Sequence, residues 1–127
     1  MDPNKLRGKR ILVVEDDPAA RDSITLLLRI DRHIVTEAAN GKEALAFVSQ
    51  QPFDLVILDF VMPGMLGGEV ALKIKLISPT LPILMVTAYL EKLTDTDKPV
   101  DALLAKPFAV DELRNAISKL LNPKQAT

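Results

Sequence analysis

Cysteine is absent from the 127 residues, so disulfides, thiol chemistry and thiolate metal sites are excluded. Histidine occurs once, which argues against an imidazole-rich metal centre. Charge of one sign is also scarce. The net charge is −1, with 16 basic and 17 acidic residues interspersed, which leaves no global footprint for nucleic acid or a membrane surface. No apolar run reaches the length of a membrane span, and Met1-Asp2-Pro3-Asn4-Lys5 lacks the apolar core of a signal peptide. A cytoplasmic location is therefore expected. The sequence carries no internal repeat and no low-complexity block. What is present is the length of one domain with 48% apolar residues, enough to bury a real core.

Short apolar runs recur along the chain, and several end in polar chemistry. Ile11–Val14 ends in Glu15-Asp16-Asp17, Leu55–Leu58 in Asp59, Ile83–Val86 in Thr87-Ala88, and Ala102–Ala105 in Lys106-Pro107. Residues 10–14 read as a buried strand, 33–37 as a weaker one, and 55–58, 83–86 and 102–105 as three more. Helical periodicity fills the gaps. Ala20, Ile24, Leu27 and Leu28 follow an Asp17-Pro18 start; Ala44, Leu45 and Val48 follow an Asn40-Gly41 turn. Val70, Ile74 and Ile77 mark a third helix, and Leu113, Ile117, Leu120 and Leu121 place the last one at about 110–121. Between residues 89 and 100 the charged stretch and Pro99 predict a short or irregular fourth helix. Such alternation predicts a parallel sheet with about five helices on its two faces, a three-layer α/β sandwich. Right-handed crossovers favour the five-strand order 2-1-3-4-5.

That order sets strands 1 and 3 side by side, so Glu15, Asp16 and Asp59 converge at one sheet edge, where open α/β sheets bind ligands. An isolated acid at a strand end is ordinary, and Asp17 before Pro18 reads as a helix cap. Three together are different. Two like charges about 5 Å apart repel by roughly 3 kcal/mol at an effective dielectric near 20. Such a group calls for protonation, water or a cation. All-oxygen donors suit Mg²⁺ or Mn²⁺. Lys106 adds an ammonium at the same edge and Thr87 a hydroxyl, a set able to orient a phosphoryl group. A neighbouring carboxylate then becomes a candidate nucleophile. Asp59 ends the most apolar, central strand and is the best fixed of the three.

Four segments, Ile11-Leu-Val-Val-Glu-Asp-Asp-Pro18, Asp54-Leu-Val-Ile-Leu-Asp-Phe-Val-Met-Pro-Gly64, Val86-Thr-Ala88 and Lys106-Pro-Phe108, occur in that order. Together they resemble the receiver domains of two-component response regulators, over nearly the whole chain. The resemblance implies a flavodoxin-like fold, with residues 1–8 as a tail, 9–121 as the receiver domain and 122–127 as a tail or the start of a linker. It implies that Asp59 is phosphorylated by a histidine kinase or histidine phosphotransfer protein. Mg²⁺ would be bound by Asp16, Asp59 and the Val61 carbonyl, with Glu15 acting largely through water. Thr87, Ala88 and Lys106 would contact the phosphoryl group. It further implies no catalysis beyond the domain's own phosphorylation and dephosphorylation. Its output would pass to a downstream protein or fused output domain, as a monomer or a phosphorylation-dependent dimer, without direct contact to nucleic acid or membrane.

The chain departs from the family pattern in places. Leu103 stands where an aromatic residue is common three positions before the lysine, so the usual ring switch is missing. Pro99-Val100 replaces a familiar Gly-Ala, and Thr87 and Lys106 are only 19 residues apart, which shortens the fourth helix. The signal would then leave through ordering of 88–100. Leu66 replaces a common aspartate, with little chemical consequence expected. Val61 and Tyr89 border the path that hydrolytic water takes in the family, which implies slow autodephosphorylation. His33 reads as a solvated turn residue, and Met62 and Met65 as packing residues.

Rival readings fit less well. A Mg²⁺-dependent phosphohydrolase wants a second carboxylate just after its nucleophile, and residues 60–62 are Phe-Val-Met. A mononucleotide binder wants a Gly- or Ser/Thr-rich loop after strand 1, where this chain has Glu15-Asp-Asp-Pro18. A receiver-like interaction module that works without phosphorylation is the nearer alternative.

Overall fold

The computed structural model describes residues 7–88 and 99–121. Five parallel strands form one sheet in the order β2-β1-β3-β4-β5. They are β1 (Arg10–Val14), β2 (Ile34–Ala38), β3 (Leu55–Asp59), β4 (Ile83–Thr87) and β5 (Ala102–Ala105). Four helices are described: α1 (Pro18–Ile30), α2 (Gly41–Gln50), α3 (Gly67–Ile77) and α4 (Val110–Leu121). The expected short helix between β4 and β5 falls on residues 89–98 and lies outside the described residues, as does Tyr89.

Period-2 alternation divides the strands between two cores. Leu12, Val14, Val56, Leu58, Ile83 and Met85 pack under α2 and α3 with Ala44, Val70 and Ile74. Ile11, Val13, Leu55, Ile57, Leu84 and Val86 pack under α1 and α4 with Ile24, Leu28, Leu113 and Ile117. The three central strands are buried on both faces, which is why they read as unbroken apolar runs.

The helix starts follow their caps. Asp17 accepts from the Ala20 amide at 3.0 Å and Pro18 occupies the first turn. Asn40 caps α2 by accepting from the Glu43 N–H, while the Glu43 carboxylate accepts from the Ala39 amide just before the cap, both at 2.8 Å. Helix α3 starts at Leu66 with no side-chain cap, so the missing aspartate there has a structural consequence rather than a chemical one.

Two sequence expectations need correction. His33 is not a solvated turn residue. It is buried, β2 begins one residue later, and the His33 Nδ1 accepts the Lys9 amide at 3.3 Å. Arg32, in the left-handed region at φ 68°, turns the chain so that His33 folds inward. Burial holds this imidazole below its ordinary value, against the pull of Asp31. Ile77 is also misplaced: it is 46% exposed, and Ala71 takes its place in the α3 core face. Met62, by contrast, is buried in the core and Met65 packs against it.

Candidate functional site

Strand register builds the site. Val14 pairs with Leu58, so the residues that follow, Glu15 and Asp59, come level across the β1–β3 boundary. Carboxylate oxygens of Glu15, Asp16 and Asp59 all lie within 4.8 Å of one another. Glu15 and Asp59 are buried, and Asp16 is half-buried. From the far edge Lys106 reaches over β4. Its Nζ donates to Glu15 Oε1 at 2.8 Å and to Asp59 Oδ1 at 3.2 Å. The Lys106–Pro107 peptide is cis.

One cation among three acids leaves an excess of negative charge. Burial pushes the Asp59 carboxyl up to about 6, Glu15 and Asp16 push it the same way, and Lys106 opposes them. Burial alone would lower the Lys106 ammonium. Its hydrogen bond to Glu15 and the charges of Asp59 and Glu15 outweigh that, so it sits above the ordinary lysine value. The donor set is all oxygen, closely spaced and short of positive charge. These residues fit a hard divalent cation such as Mg²⁺.

The remaining expected residues are placed differently. Thr87 is buried and ends β4, but it alternates with Ile83 and Met85, toward α2 and α3. Asp59 alternates with Leu55 and Ile57, toward α1 and α4. The Thr87 carbonyl accepts the Lys106 amide at 2.8 Å, which ties the end of β4 to the residue that carries the ammonium. Ala88 is exposed and lines, with Lys106, a groove of about 520 Å³ whose other walls include Ala20, Ile24 and Leu27 of α1 and Phe108. Val61 is 44% exposed. Leu103 is partly buried against the α2/α3 core.

Two residues near the site escaped sequence reading. Gly67 donates to the Phe60 carbonyl at 2.7 Å, and a Cβ there would sit 2.6 Å from the Asp59 carbonyl oxygen. Only glycine allows α3 to start this close to β3. Arg21 of α1 donates to the Glu15 carbonyl oxygen at 2.9 Å. A hint existed: a cation in the first turn of a helix opposes the helix dipole.

Comparison with known proteins matches this arrangement. The profile of the response regulator receiver domain family covers residues 11–118. Sporulation initiation phosphotransferase F of Bacillus subtilis is 34% identical over 119 residues, covering 91% of this chain and 96% of that protein. The response regulator MprA of Mycolicibacterium vanbaalenii is 38% identical over 88% of this chain, which spans only 50% of MprA. Among solved structures, the response regulator TrrA of Thermotoga maritima in complex with Mg(2+)-BeF is similar with a TM-score of 0.84 and 38% identity. It covers 89% of this chain and 99% of TrrA. The receiver domain of a Pseudomonas aeruginosa sensor histidine kinase, with a magnesium ion coordinated in its active site cleft, gives 0.82 at 28% identity, covering 90% of this chain and 98% of that one. The expectation of Mg²⁺ gains support from these relatives; that of Mn²⁺ does not.

Proposed function

The chain belongs to the response regulator receiver domain family, and from that premise we propose that Asp59 is its phosphoacceptor. The observation that carries this reading is the Asp59 carboxylate itself. It is held between Glu15 and Asp16 on one side and the Lys106 ammonium at 3.2 Å on the other. An Asp59 oxygen forms a bond to phosphorus while the P–N bond of a phosphohistidine breaks, and the departing imidazole takes up a proton from solvent. Asp16, Asp59 and the Val61 carbonyl, with Glu15 behind them, would hold Mg²⁺. When bound, it supplies positive charge for the carboxylates and the phosphoryl oxygens. Lys106 stays beside the transferred group and balances its charge. The Thr87 hydroxyl and the Ala88 amide complete the phosphoryl site.

The donor is a histidine kinase or a histidine phosphotransfer protein, and the chain works in the cytoplasm. Phosphorylation changes contacts with a downstream protein or, as the greater length of MprA suggests, a fused output domain. We place the donor on the apolar groove between α1 and Phe108, because Lys106 and Ala88 border both the groove and the site. Ala20→Arg should slow labelling by a phosphohistidine protein and leave labelling by acetyl phosphate intact. Equal slowing of both would move the docking face elsewhere.

The decisive experiment is incubation with acetyl phosphate and Mg²⁺ followed by intact-mass measurement. One added phosphoryl group on the wild type, absent from Asp59→Asn, is the expected result. No addition would favour an interaction module that works without phosphorylation. Exposed, apolar Val61 cannot position water, so the phosphoryl group should persist; a half-life of seconds would refute that part.

A further inference from the structure

We propose that Arg21 is a positioning residue for the acidic pair, fixing the peptide between Glu15 and Asp16 so that the Asp16 carboxylate faces the cation site. The inference rests on the Mg²⁺ site proposed above. Arg21 lies in the first turn of α1, where the helix dipole disfavours a cation by about 0.3–1 kcal/mol at exposed sites. The side chain is nevertheless held in place on two sides. One guanidinium nitrogen donates to the Glu15 carbonyl at 2.9 Å, and another lies 3.5 Å from Glu37 of β2. Glu37 is itself fixed by the hydroxyl of Thr25, buried one turn further along α1, at 3.2 Å. Thr25, Glu37 and Arg21 thus form a brace from α1 across β2 to the end of β1.

What the brace holds is the loop that carries the two acids. Glu15 has other restraints. Its amide donates to the Ala38 carbonyl at 3.1 Å, and its carboxylate accepts from Lys106 and from the Asp17 amide. Asp59 is held by Lys106. Among the described residues, the Asp16 carboxylate takes part in no hydrogen bond or ion pair, so the position of its backbone is what restrains it. The carbonyl that Arg21 grips belongs to the peptide leading directly into Asp16. A planar guanidinium can satisfy that carbonyl and Glu37 at once, whereas a lysine ammonium has no such fork.

The test turns on opposite signs. If Arg21 acted only through its charge, removing a cation beside a cation site would tighten Mg²⁺ binding. If it positions Asp16, removal weakens binding by about tenfold, as for other groups that orient metal ligands. Mg²⁺ titrations followed by the amide resonances of residues 14–17 would be compared for wild type, Arg21→Lys, Arg21→Gln and Glu37→Gln. The expected order of affinity is wild type, then Arg21→Lys and Glu37→Gln, then Arg21→Gln. Saturating Mg²⁺ should restore the rate of labelling by acetyl phosphate, which separates lost positioning from lost chemistry. Arg21→Gln binding as tightly as wild type, or tighter, would overturn the proposal. So would a labelling defect that saturating Mg²⁺ leaves untouched. Should Arg21→Gln fail to fold, Thr25→Val, which frees Glu37 without altering charge, carries the test, with unchanged affinity as the refuting result. Failure of the wild type to bind Mg²⁺ at all would instead overturn the proposed function.

Discussion

The two ends of the sheet are built from the same residue types and behave in opposite ways. At the start of the strands, polar groups pair one to one. The Arg10 amide donates to Asp54 at 2.8 Å, Asp54 N–H returns a bond to the Arg10 carbonyl at 2.7 Å, and the Lys9 amide meets His33. At the far end three carboxylates compete for one ammonium, and Asp59 is pushed up to about 6. Local satisfaction stabilises the first end. The second keeps an unbalanced negative charge, which lowers stability and suits a cation.

This contrast can be broken, most severely at Lys106. Lys106→Met leaves Glu15 and Asp59 buried without a counter-charge and should lower stability by about 2–4 kcal/mol at pH 8 without Mg²⁺. Denaturant melts should show the deficit shrinking as pH falls, beginning above the wild-type value of about 6, because Lys106 no longer holds the Asp59 carboxyl down. Asp59→Asn should do the reverse and stabilise the fold by ~1–3 kcal/mol. The sign follows from a folded value raised from 3.8 to about 6: wild-type stability falls as pH rises through that window. The gain should therefore be full above pH 6 and fade toward 3.8. A neutral or destabilising Asp59→Asn at pH 8 would remove the contrast altogether.

Asp54→Ala, at the opposite end, removes an acceptor that is used and should cost about 0.5–1.5 kcal/mol in the same melts. The smallest effect belongs to His33. Its folded value lies below its ordinary 6.5, so the unfolded chain takes up the proton first and wild-type stability should decline as pH drops through 6.5. His33→Asn keeps an acceptor near Nδ1 and does not titrate, so that part of the pH dependence should vanish. An unaltered slope would place its origin elsewhere.

Much of the fold was legible because the central strands are buried on both faces and so appear as apolar runs. The convergence of Glu15, Asp16, Asp59 and Lys106 followed from strand order alone. What stayed hidden depended on partners far along the chain or on a single dihedral. The brace on Arg21 needs Glu37 of a neighbouring strand, and the burial of His33 needs the positive φ of Arg32. The face of Thr87 was readable in principle, because strand parity assigns it with Ile83 and Met85.

The register beyond β3 has a consequence for how such a site can vary. Asp59 stands opposite Val86, and Thr87 stands opposite Ala105. Each polar group therefore leads or trails its neighbour by a whole number of residues, about 3.3 Å each. Drift by substitution can exchange the group at a given step but cannot slide it by a fraction. Loss of one residue within β5 would move Lys106 a full step and turn Leu103 to the opposite core. The spacing of such a site is inherited as a set of integers, open to new chemistry at fixed stations and closed to gradual resizing.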